Sequence, residues 1–444
     1  MLLRFSVTNF RTFREKATLS LVASNYDKDT RESDNIYVDP YNGMRILKSA
    51  VVYGANASGK SKLFEALSFM RHFVINSSKD SQTGELIAVE PFLLSSETEH
   101  EPSEFEVVFA YDGVVYRYGF ETTKQEICSE WLYYKQKTKE VELFYREGKH
   151  YTLHERNFTK GKMLVKQGLV RDNALLVSVA AQFNDKIAIH VIEWFKRFKT
   201  LSGLKEYEFQ GFTMAKTEER LQKEKILELL KAADLGICDI TLQKLDIDHL
   251  PEDMPKDLKE KIVKEMSEKK REFVSDIITT HKKYDSNKKA LENAYFSMGD
   301  HESSGTTKYF SLTGPILDVI ENGYTLVVDE LDSKLHPNLV CKIVSLFNSS
   351  ALNPKHAQLI FNTHDTNLLS SGLFRRDQIW FTDKNKYGEA SLYSLSDFKS
   401  DAVRKTESFE DNYVRGKYGA VPYLNNFDRL NETLARYENE KQKG

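Results

Sequence analysis

Residues 54–61 read Gly-Ala-Asn-Ala-Ser-Gly-Lys-Ser, which fills every fixed position of the phosphate-loop pattern G-x-x-x-x-G-K-[ST]. In such a loop the glycines let backbone N–H groups point inward and hold phosphates at the start of a helix. Lys60 is expected to reach the β- and γ-phosphates of a nucleotide, and Ser61 to ligate Mg²⁺. A β-rich run precedes the loop and apolar residues at helical spacing follow it, which is the context that this chemistry needs. The loop residues expected to contact the nucleotide are Gly54, Asn56, Ser58, Gly59, Lys60 and Ser61.

An acidic motif complements this loop. Residues 325–330 read Thr-Leu-Val-Val-Asp-Glu, a β pattern that ends in two carboxylates. Asp329 is expected to hold Mg²⁺ through water, and Glu330 to orient or deprotonate an attacking water, because phosphoryl transfer depends mainly on positioning and charge stabilisation. Lys60 and Asp329 are 269 positions apart, which predicts inserted lobes between two halves of one catalytic core.

Two polar loops flank the acidic motif. Ser303, Ser304 and Gly305 precede a helical pattern, where their hydroxyl and N–H groups suit an anion; the alternative is a simple helix cap. Gly305 lies 24 residues before Asp329, and this proximity favours the anion site. His364 follows the next strand pattern, where an imidazole can sense a γ-phosphate by hydrogen bonding.

The composition excludes several classes of protein. The chain has 444 residues, enough for two to four folding units. Its 63 basic and 66 acidic residues give a net charge of −3, so any nucleic-acid contact must be a local patch. The three cysteines are far apart and provide neither a disulfide framework nor zinc spacing. The N-terminus does not resemble a signal peptide and no apolar run approaches the ~18 residues of a membrane span, so we expect a cytoplasmic protein without membrane contact.

The order of predicted elements defines an α/β fold. After the strand, phosphate loop and helix, hairpins with Asp112-Gly113 and Glu147-Gly148 turns predict an antiparallel β lobe. Residues 170–300 have a mostly helical pattern, which includes the highly charged stretch 252–272. From residue 324 strands and helices alternate again, which predicts a core with a largely parallel sheet.

Taken in order, the motifs G-A-N-A-S-G-K-S, E-S-S-G-T-T-K, T-L-V-V-D-E-L-D-S-K-L-H-P and I-F-N-T-H-D resemble those of ABC-class ATPases of the SMC, RecF and OLD kind. The chain is most similar to the compact bacterial ABC ATPases of phage-defence loci, such as the ATPase subunits of the PARIS, Septu and Rlo systems. The resemblance covers nearly the whole chain, including an opening Asn-Phe-Arg motif at residues 9–11 and C-terminal hallmarks at residues 377–381 and 415–422.

The resemblance implies a site shared between subunits, in which the phosphate loop of one chain and the signature loop of another sandwich ATP. Ser303, Ser304 and Gly305 would then contact the γ-phosphate in trans, residues 333–336 would form the D-loop, and Arg11 would approach the phosphates. ATP and Mg²⁺ are the implied cofactors. The catalytic residues would be Glu330, His364 as the switch histidine, and Lys60.

Three features depart from the family pattern. Glu302 stands where transporters have a leading leucine in the signature, and His336 stands where a D-loop aspartate is common. No glutamine that would couple Mg²⁺ to the lobe is evident near residues 90–92. The Q-loop residue is therefore unassigned from the sequence.

The predicted fold class is thus α/β, with an ABC-type P-loop ATPase core, an antiparallel β lobe and an inserted helical lobe. Apolar residues at helical spacing from 423 to 437 predict an amphipathic C-terminal helix, which either packs on the core or docks another chain. The predicted regions are 1–200 (first half of the core, with the phosphate loop and the β lobe), 201–295 (inserted helical lobe), 296–400 (second half of the core, with the signature, acidic motif and switch histidine) and 401–444 (C-terminal segment).

Three functions fit these motifs. The first is a regulatory ATPase that assembles with copies of itself on ATP, responds to a phage protein or DNA, and controls a separate effector, expected to be a nuclease. The second is a RecF- or SMC-like DNA-binding ATPase in DNA repair without an effector; it should bind duplex DNA with a steep salt dependence, and the near-neutral charge favours the first function. The third, an OLD-like nuclease with its own TOPRIM domain, is the weakest, because only 80 residues follow His364 and the D-x-D at residues 246–248 precedes the signature loop. A transporter ATPase would need a surface for membrane helices, which these motifs do not suggest.

Overall fold

The computed structural model of the protein describes residues 1–25, 30–80, 82–136, 139–154, 156–205, 207–245, 274–398 and 407–422, together with residues 257, 259, 260 and 263. Its described strands are β1 (Leu2–Thr8), β2 (Ala17–Ser20), β3 (Ile36–Val38), β4 (Arg45–Leu47), β5 (Ser49–Gly54), β6 (Ser103–Tyr111), β7 (Val114–Thr122), β8 (Ile127–Lys135), β9 (Val141–Glu147), β10 (His150–Leu153), β11 (Phe198–Ser202), β12 (Ile237–Lys244), β13 (Val274–Tyr284), β14 (Ala290–Ser297), β15 (Thr325–Asp329), β16 (Gln358–Asn362), β17 (Ile379–Lys384) and β18 (Ala390–Ser394). Its described helices are α1 (Glu32–Asn35), α2 (Lys60–Asn76), α3 (Thr159–Lys166), α4 (Leu176–Gln182), α5 (Lys186–Arg197), α6 (Tyr207–Thr217), α7 (Arg220–Ala232), α8 (Ser304–Asn322), α9 (Pro337–Asn348), α10 (Asn367–Ser370) and α11 (Phe409–Val414), with short 3-10 turns at Arg376–Gln378 and Leu395–Asp397. Within this part of the chain, no helix combines the length and the apolar character needed to cross a membrane.

Six strands form the central sheet, in the order β11-β15-β16-β5-β17-β18. All neighbours run parallel except the edge pair of β17 and β18. β5 and β15 are short runs of mainly apolar residues, as expected for strands that are covered on both faces. Because the carboxyl ends of parallel strands meet at one edge, β5, β15 and β16 place the phosphate loop, Asp329 and Asn362 along the same edge. The predicted α/β core with a largely parallel sheet is therefore confirmed.

Both faces of the central sheet are buried, and successive residues of β5 alternate between two hydrophobic cores. Ala50 and Val52 belong to the core that α2 covers, together with the helical residue Leu63. Val51 and Tyr53 belong to the second core, which α8 covers. This alternation follows from the two-residue period of a strand, and it fixes the start of the phosphate loop between two packed layers.

A second, antiparallel sheet has the order β10-β9-β8-β7-β6-β1-β2. Its longest hairpin turns at Asp112 and Gly113, which have φ values of 50° and 73°, as the Asp-Gly signal predicts. The rings of Phe109 and Trp194 stack with centroids 4.1 Å apart, and this contact joins the sheet to α5. The predicted antiparallel β lobe is thus present, and the N-terminal strands β1 and β2 belong to it.

The segment between the two halves of the core is only partly helical. α6 and α7 contact α8, as a helical insert predicts. The described residues that follow form an antiparallel sheet in the order β12-β13-β14, which corrects the expectation of a mostly helical pattern over residues 170–300 and of an inserted helical lobe over 201–295. β13 contains the run Ile-Ile-Thr-Thr, buries Ile277 and Thr279, and has a strand on each side. β-Branched side chains that are buried between two neighbouring strands favour a strand. This preference outweighs the helical pattern that the charged stretch 252–272 suggests.

The predicted boundary at residue 200 does not coincide with a structural boundary. It falls inside β11, which pairs in parallel with β15 from Phe198 to Ser202 and so belongs to the central sheet. The D-x-D at residues 246–248 and the apolar stripe at 423–437 lie outside the described residues. Of the charged stretch 252–272, the structure describes only four residues.

Candidate active site

The phosphate loop joins β5 to α2 and lies tightly against β17 and β18. Gly59 caps the start of α2 with a φ of 112°, and a Cβ at this position would lie 3.0 Å from both Ala390 Cβ and Thr12 Oγ1. Ser58 Oγ lies 2.7 Å from Thr382 Oγ1. Position 59 therefore needs glycine both for its backbone conformation and for lack of space.

Lys60 turns its ammonium group into the loop. Its Nζ donates to the carbonyl oxygens of Gly54 (2.7 Å) and Ala55 (3.0 Å), and the residue is 5% exposed. Burial lowers the pKa of Lys60 to about 8, while the negative charges of Glu330 and Asp329 oppose that shift. An ammonium group that has lost most of its water gains from anionic oxygens, so the loop fits the phosphates of a nucleotide.

One amide side chain fixes the acidic pair at the end of β15. Asn362, which is fully buried, accepts a hydrogen bond from the backbone N–H of Glu330 and donates one to Oδ1 of Asp329. Glu330 has a φ of 56°, and its carbonyl oxygen would lie 2.1 Å from a Cβ at Gly203. The adjoining strand β16 and a close glycine contact thus fix the carboxylate of Asp329 and the backbone of Glu330.

A cavity of about 600 Å³ opens at the edge where the phosphate loop meets the end of β15. This volume is typical of a small-molecule site. His364 is exposed there, and its backbone N–H donates to Asp332 Oδ2 (3.1 Å). The structure therefore brings together the three predicted catalytic residues and most of the predicted loop residues. The lining residues are Thr12, Asn56, Ala57, Ser58, Gly59, Lys60, Ser61, Lys62, Glu330, His364 and Lys384.

Arg11 lies beside this cavity and is not among the residues that line it. Its guanidinium pairs with the carboxylates of Glu65 and Glu90, and its backbone N–H donates to the Glu90 carbonyl oxygen (2.9 Å). The next residue, Thr12, does line the cavity. To contact a phosphate, the Arg11 guanidinium would have to leave its ion pairs with Glu65 and Glu90. The predicted contact of Arg11 with the nucleotide therefore stays a prediction.

The predicted signature loop lies outside this cavity. Ser303 caps α8 by accepting a hydrogen bond from the N–H of Thr306 (3.1 Å), and both Ser303 and Ser304 are exposed. A Cβ at Gly305 would lie 2.6 Å from the carbonyl oxygen of Lys334, so this glycine lets the loop contact the predicted D-loop. None of residues 303–305 is among the described residues that line the cavity. Ser303 Oγ also lies 2.9 Å from Thr306 Oγ1, so its hydroxyl is engaged at the helix start, and the predicted contact of this loop with a nucleotide on another subunit stays a prediction.

Glu302 joins the signature loop to the inserted sheet, which explains why this position departs from the transporter pattern. Its carboxylate accepts a hydrogen bond from Thr279 Oγ1 (2.6 Å) and lies 2.7 Å from His281 Nε2. The Glu302 side chain is 10% exposed. A leucine could make neither polar contact, so the charged residue ties β13 to the loop that precedes α8.

Lys308 connects α8 to the acidic motif of the same chain. It is fully buried, and its Nζ donates to the carbonyl oxygen of Glu330 (3.1 Å) and to the carbonyl oxygen (2.6 Å) and hydroxyl (2.5 Å) of Ser333. Ser333 Oγ also donates to the carbonyl oxygen of Gly203 (3.0 Å). The chain turns between Glu330, the end of the acidic pair, and Ser333, the start of the predicted D-loop. Lys308 therefore holds the backbone at both ends of this turn.

Lys308→Met is expected to lower the free energy of unfolding by about 1–3 kcal/mol, because buried acceptors on Glu330 and Ser333 lose their donor. Any ATPase activity should fall further than nucleotide affinity, since Lys60 lies elsewhere in the site. Thermal unfolding and nucleotide titration measure the two effects. Lys342→Met, which removes an exposed lysine on α9, is the matched control. Equal unfolding curves for the two variants would contradict the prediction.

Sequence reasoning missed three residues that position the site. Asn362 fixes the acidic pair, Thr382 holds Ser58, and Lys308 joins α8 to the D-loop. All three are fully buried polar residues on elements with largely apolar neighbours. A polar side chain in such a position usually serves a hydrogen bond, and that is the signal that could have identified them.

The first C-terminal hallmark and the nearby helix α11 contact the strand that carries the phosphate loop. Gln378 Nε2 donates to the carbonyl oxygen (3.0 Å) and hydroxyl (2.8 Å) of Ser49 at the start of β5. Tyr413 lies on α11, where burial raises its pKa to about 12 and a hydrogen bond from the Gly54 amide opposes that rise. Gln378 from the hallmark at 377–381 therefore supports β5, and neither this hallmark nor residues 415–422 are among the described residues that line the cavity.

Oxygen ligands for Mg²⁺ are present beside the loop. Ser61 lines the cavity, and Asp329 is close enough to Lys60 to oppose the lowering of its pKa. The part of the chain that the structure describes contains no cluster of three or more His, Cys, Asp or Glu side chains suited to a metal. A nucleotide-bound Mg²⁺ needs no such cluster, because one or two protein oxygens, water and phosphates usually complete its shell. Ser61 and Asp329 thus fit the predicted ion.

The phosphate loop after β5, the acidic pair at the end of β15 and the added antiparallel sheet define the fold of an ABC-type P-loop ATPase. Residues 49–370 match the family model described as "AAA domain, putative AbiEii toxin, Type IV TA system". The match spans more than half of the sequence, and the chain therefore belongs to this family. None of the curated proteins matches the sequence.

Solved structures of SMC heads are similar to this chain over most of their length. The SMC head domain from Thermotoga maritima shares 13% sequence identity with a TM-score of 0.41, over 88% of this chain and 98% of that chain. An SmcHead bound to the C-winged helix domain of ScpA shares 12% identity with a TM-score of 0.39, over 88% and 97% of the two chains. At these values neither residue roles nor partners carry over from those structures to this chain.

Proposed function

We propose that this chain binds and hydrolyses ATP, releasing ADP and phosphate, and that it does so in a head-to-tail assembly of its own copies. One observation carries this proposal. Lys60, Glu330 and His364 are far apart in sequence, yet they line one cavity at the carboxyl edge of the central sheet. This is the location at which open α/β sheets bind their ligands.

Each residue has a distinct part in the proposed hydrolysis. Lys60 exchanges backbone carbonyl oxygens for the β- and γ-phosphate oxygens and balances their charge. Glu330 orients the attacking water and accepts its proton, and His364 donates a hydrogen bond to the γ-phosphate. Mg²⁺, held by Ser61 and Asp329, would neutralise charge on the phosphates. The chain's own contribution is therefore positioning and charge stabilisation.

The exposed signature loop supports assembly of two copies around ATP. Ser303 and Ser304 are exposed and lie outside the cavity of their own chain, so a second copy can present the same groups to the γ-phosphate. Gly305 lies against the D-loop of its own chain. In the proposed dimer, the signature loop contacts the nucleotide of the opposite copy. A movement of α8 on this contact would shift Lys308, and with it the carbonyl oxygen of Glu330 in the same chain.

Ser304→Arg is expected to abolish ATP-dependent assembly while leaving ATP bound to the isolated chain. The substitution adds a bulky cation to an exposed loop that has to pack against the opposite nucleotide. Mass photometry with and without ATP measures assembly, and a titration with a labelled ATP analogue measures binding. Thr152→Arg adds the same side chain at an exposed position of β10, the edge strand of the antiparallel sheet, and serves as the control. ATP-dependent assembly of Ser304→Arg at the wild-type level would refute the trans arrangement.

We further propose that the assembled ATPase senses infection and regulates a separate effector, a nuclease, in anti-phage defence. The family description supports this proposal, because it names a toxin and a type IV toxin–antitoxin system. The motif order, which resembles phage-defence ATPases, supports it as well. A phage protein or DNA would be the trigger, and the partners would be further copies of the chain and the effector.

A plating assay tests the proposed defence role. Cells that express the chain together with the genes encoded beside it should plate phage less efficiently than cells without them. Protection should disappear in Glu330→Gln or when a neighbouring nuclease is inactivated. Unaltered phage plating combined with greater sensitivity to DNA damage when the gene is deleted would favour the DNA-repair alternative.

A further inference from the structure

The hairpin of β13 and β14 extends beyond the inserted sheet as a two-stranded ribbon. β12 begins at Ile237, which pairs with His281. Beyond that pair the ribbon continues through Lys282, opposite Asn293, to Tyr284, opposite Ala290. We call residues 281–295 the β-ribbon; they comprise this two-stranded part and, at its base, Tyr295, which lies opposite Thr280. Lys244 and Val274 form the pair at the opposite end of the sheet. The tip of the ribbon therefore lies at the end of the sheet away from that pair.

The β-ribbon is rich in exposed cations and aromatic rings. Tyr284 is 55% exposed and Tyr295 is 69% exposed. Tyr295 lies opposite Thr280, two residues from Lys282, so Lys282 and Tyr295 share one face of the ribbon. The exposed lysines of the ribbon are Lys282, Lys283, Lys288 and Lys289.

The β-ribbon contains two acidic residues, Asp285 and Glu292, against four lysines, and the carboxylates of both are engaged. Asp285 Oδ1 accepts hydrogen bonds from the backbone N–H groups of Asn287 (2.9 Å) and Lys289 (2.8 Å), which fixes the turn. Glu292 Oε1 lies 3.3 Å from Lys283 Nζ. Among the described residues, no carboxylate forms an ion pair with Lys282, Lys288 or Lys289. The β-ribbon is therefore a local positive surface on a chain with a net charge of −3.

We propose that the β-ribbon binds duplex DNA, with its lysines on the phosphates and its strands directed at the major groove. The major groove of B-DNA is wide enough for a two-stranded β-ribbon. Lysines on both sides of a narrow ribbon can reach the phosphates that border the groove, and such contacts supply most sequence-independent affinity. Tyr284 and Tyr295 provide exposed surface for the sugar–phosphate edge.

Duplex DNA fits the β-ribbon better than two other polyanions. The major groove of double-stranded RNA is too deep and narrow for side chains to enter, so a ribbon would lose its groove contact there. An acidic protein surface seldom carries negative charge at the regular, dense spacing of a phosphate backbone. The hydrogen bonds to Asp285 fix the turn of the β-ribbon, and a ligand of regular shape such as a DNA duplex matches a rigid ribbon.

The base of the β-ribbon is joined to the signature loop. Thr279 and His281 on β13 contact Glu302, which precedes the exposed serines of that loop. DNA on the ribbon can therefore influence the ATPase site, and only this consequence rests on the proposed function. Binding of DNA to the β-ribbon needs neither ATP nor Glu330. A loss of ATP hydrolysis with intact DNA binding would therefore count against the proposed function alone, and absent DNA binding with intact hydrolysis would count against the β-ribbon proposal alone.

Fluorescence anisotropy of a labelled mixed-sequence duplex tests the proposal with the full-length chain over a range of salt concentrations, without nucleotide. The wild type should bind and weaken steeply with salt. K282Q/K289Q removes two cations and is expected to bind roughly tenfold more weakly, with the slope of log affinity against log salt reduced by about 2. The control K162Q/K166Q removes two exposed lysines from α3 and should leave affinity and slope unchanged.

Folding of each variant is checked by circular dichroism and by binding of a labelled ATP analogue. If the double variant does not fold, Lys282→Gln alone should reduce the salt slope by about 1. Wild-type protein that does not bind the duplex at ~50 mM salt overturns the proposal, since counterion release is strongest there. Equal losses in the ribbon and control variants, or equally tight binding of double-stranded RNA or polyglutamate, overturn it too.

Discussion

Replacement of Glu330 by glutamine is expected to stop ATP hydrolysis while leaving ATP bound. The amide keeps the size of the side chain but cannot accept a proton from water, and loss of a general base typically slows a reaction by about 10²- to 10⁴-fold. Asp329 keeps its place because Asn362 donates a hydrogen bond to one of its oxygens, and Lys60 keeps its place because its Nζ donates to the carbonyl oxygens of Gly54 and Ala55. ATP-bound assemblies of the variant should therefore last longer than those of the wild type.

Phosphate release and the lifetime of the ATP-dependent assembly are the two measurements for Glu330→Gln. Glu321→Gln is the matched control, because its carboxylate lies on α8, pairs with Lys225 and has no predicted role in hydrolysis. The control should turn over ATP at the wild-type rate. Wild-type turnover in Glu330→Gln would show that another group activates the water.

The central site could be predicted because its signals are local. Residues 54–61 specify a loop before a helix, and 325–330 specify a strand that ends in two carboxylates. A parallel sheet then places the ends of β5, β15 and β16 at one edge, whatever the lobes between them contain. The 269 positions between Lys60 and Asp329 therefore did not obscure their proximity.

The supports of the site could not be predicted, because each depends on a pairing across the fold. Asn362 contacts Asp329, 33 residues away, and Thr382 contacts Ser58, 324 residues away. Neither partner can be chosen from the sequence until the order of the strands is known. Lys308 stood within a motif that was recognised, yet its role depends on how α8 meets the turn after β15.

The inserted sheet shows why composition misleads over a mixed segment. β13 alternates buried and less buried residues at Ile277 to Thr279, which is a strand signal of only a few positions. The charged residues before it favour a helix over a much longer window, so the strand signal was outweighed. Pairing with β12 and β14 buries these side chains, and this tertiary context decides the conformation.

Lys60→Ala is expected to remove tight binding of Mg-ATP. The ammonium group should make two or three hydrogen bonds to phosphate oxygens, each to a charged partner and worth about 1.5–3 kcal/mol. A loss of about 3–5 kcal/mol corresponds to an affinity roughly 10²- to 10⁴-fold weaker. Equilibrium titration with a labelled ATP analogue measures it.

The same substitution should leave the unliganded protein folded, which separates lost binding from lost structure. Lys60→Ala removes two hydrogen bonds to the loop, but it also removes a cation whose burial lowers its pKa to about 8. Because the folded-state pKa lies below the ordinary value of 10.5, this cation opposes folding fully below pH 8, and the cost disappears as the pH rises from 8 toward 10.5. The two changes act in opposite directions at pH 7, so a similar melting temperature is expected without nucleotide. Lys79→Ala, which removes an exposed lysine just beyond the far end of α2 and outside the cavity lining, is the control and should bind ATP as the wild type does. Unchanged affinity in Lys60→Ala, or an equal loss in both variants, would mean that Lys60 is not the group that binds the phosphates.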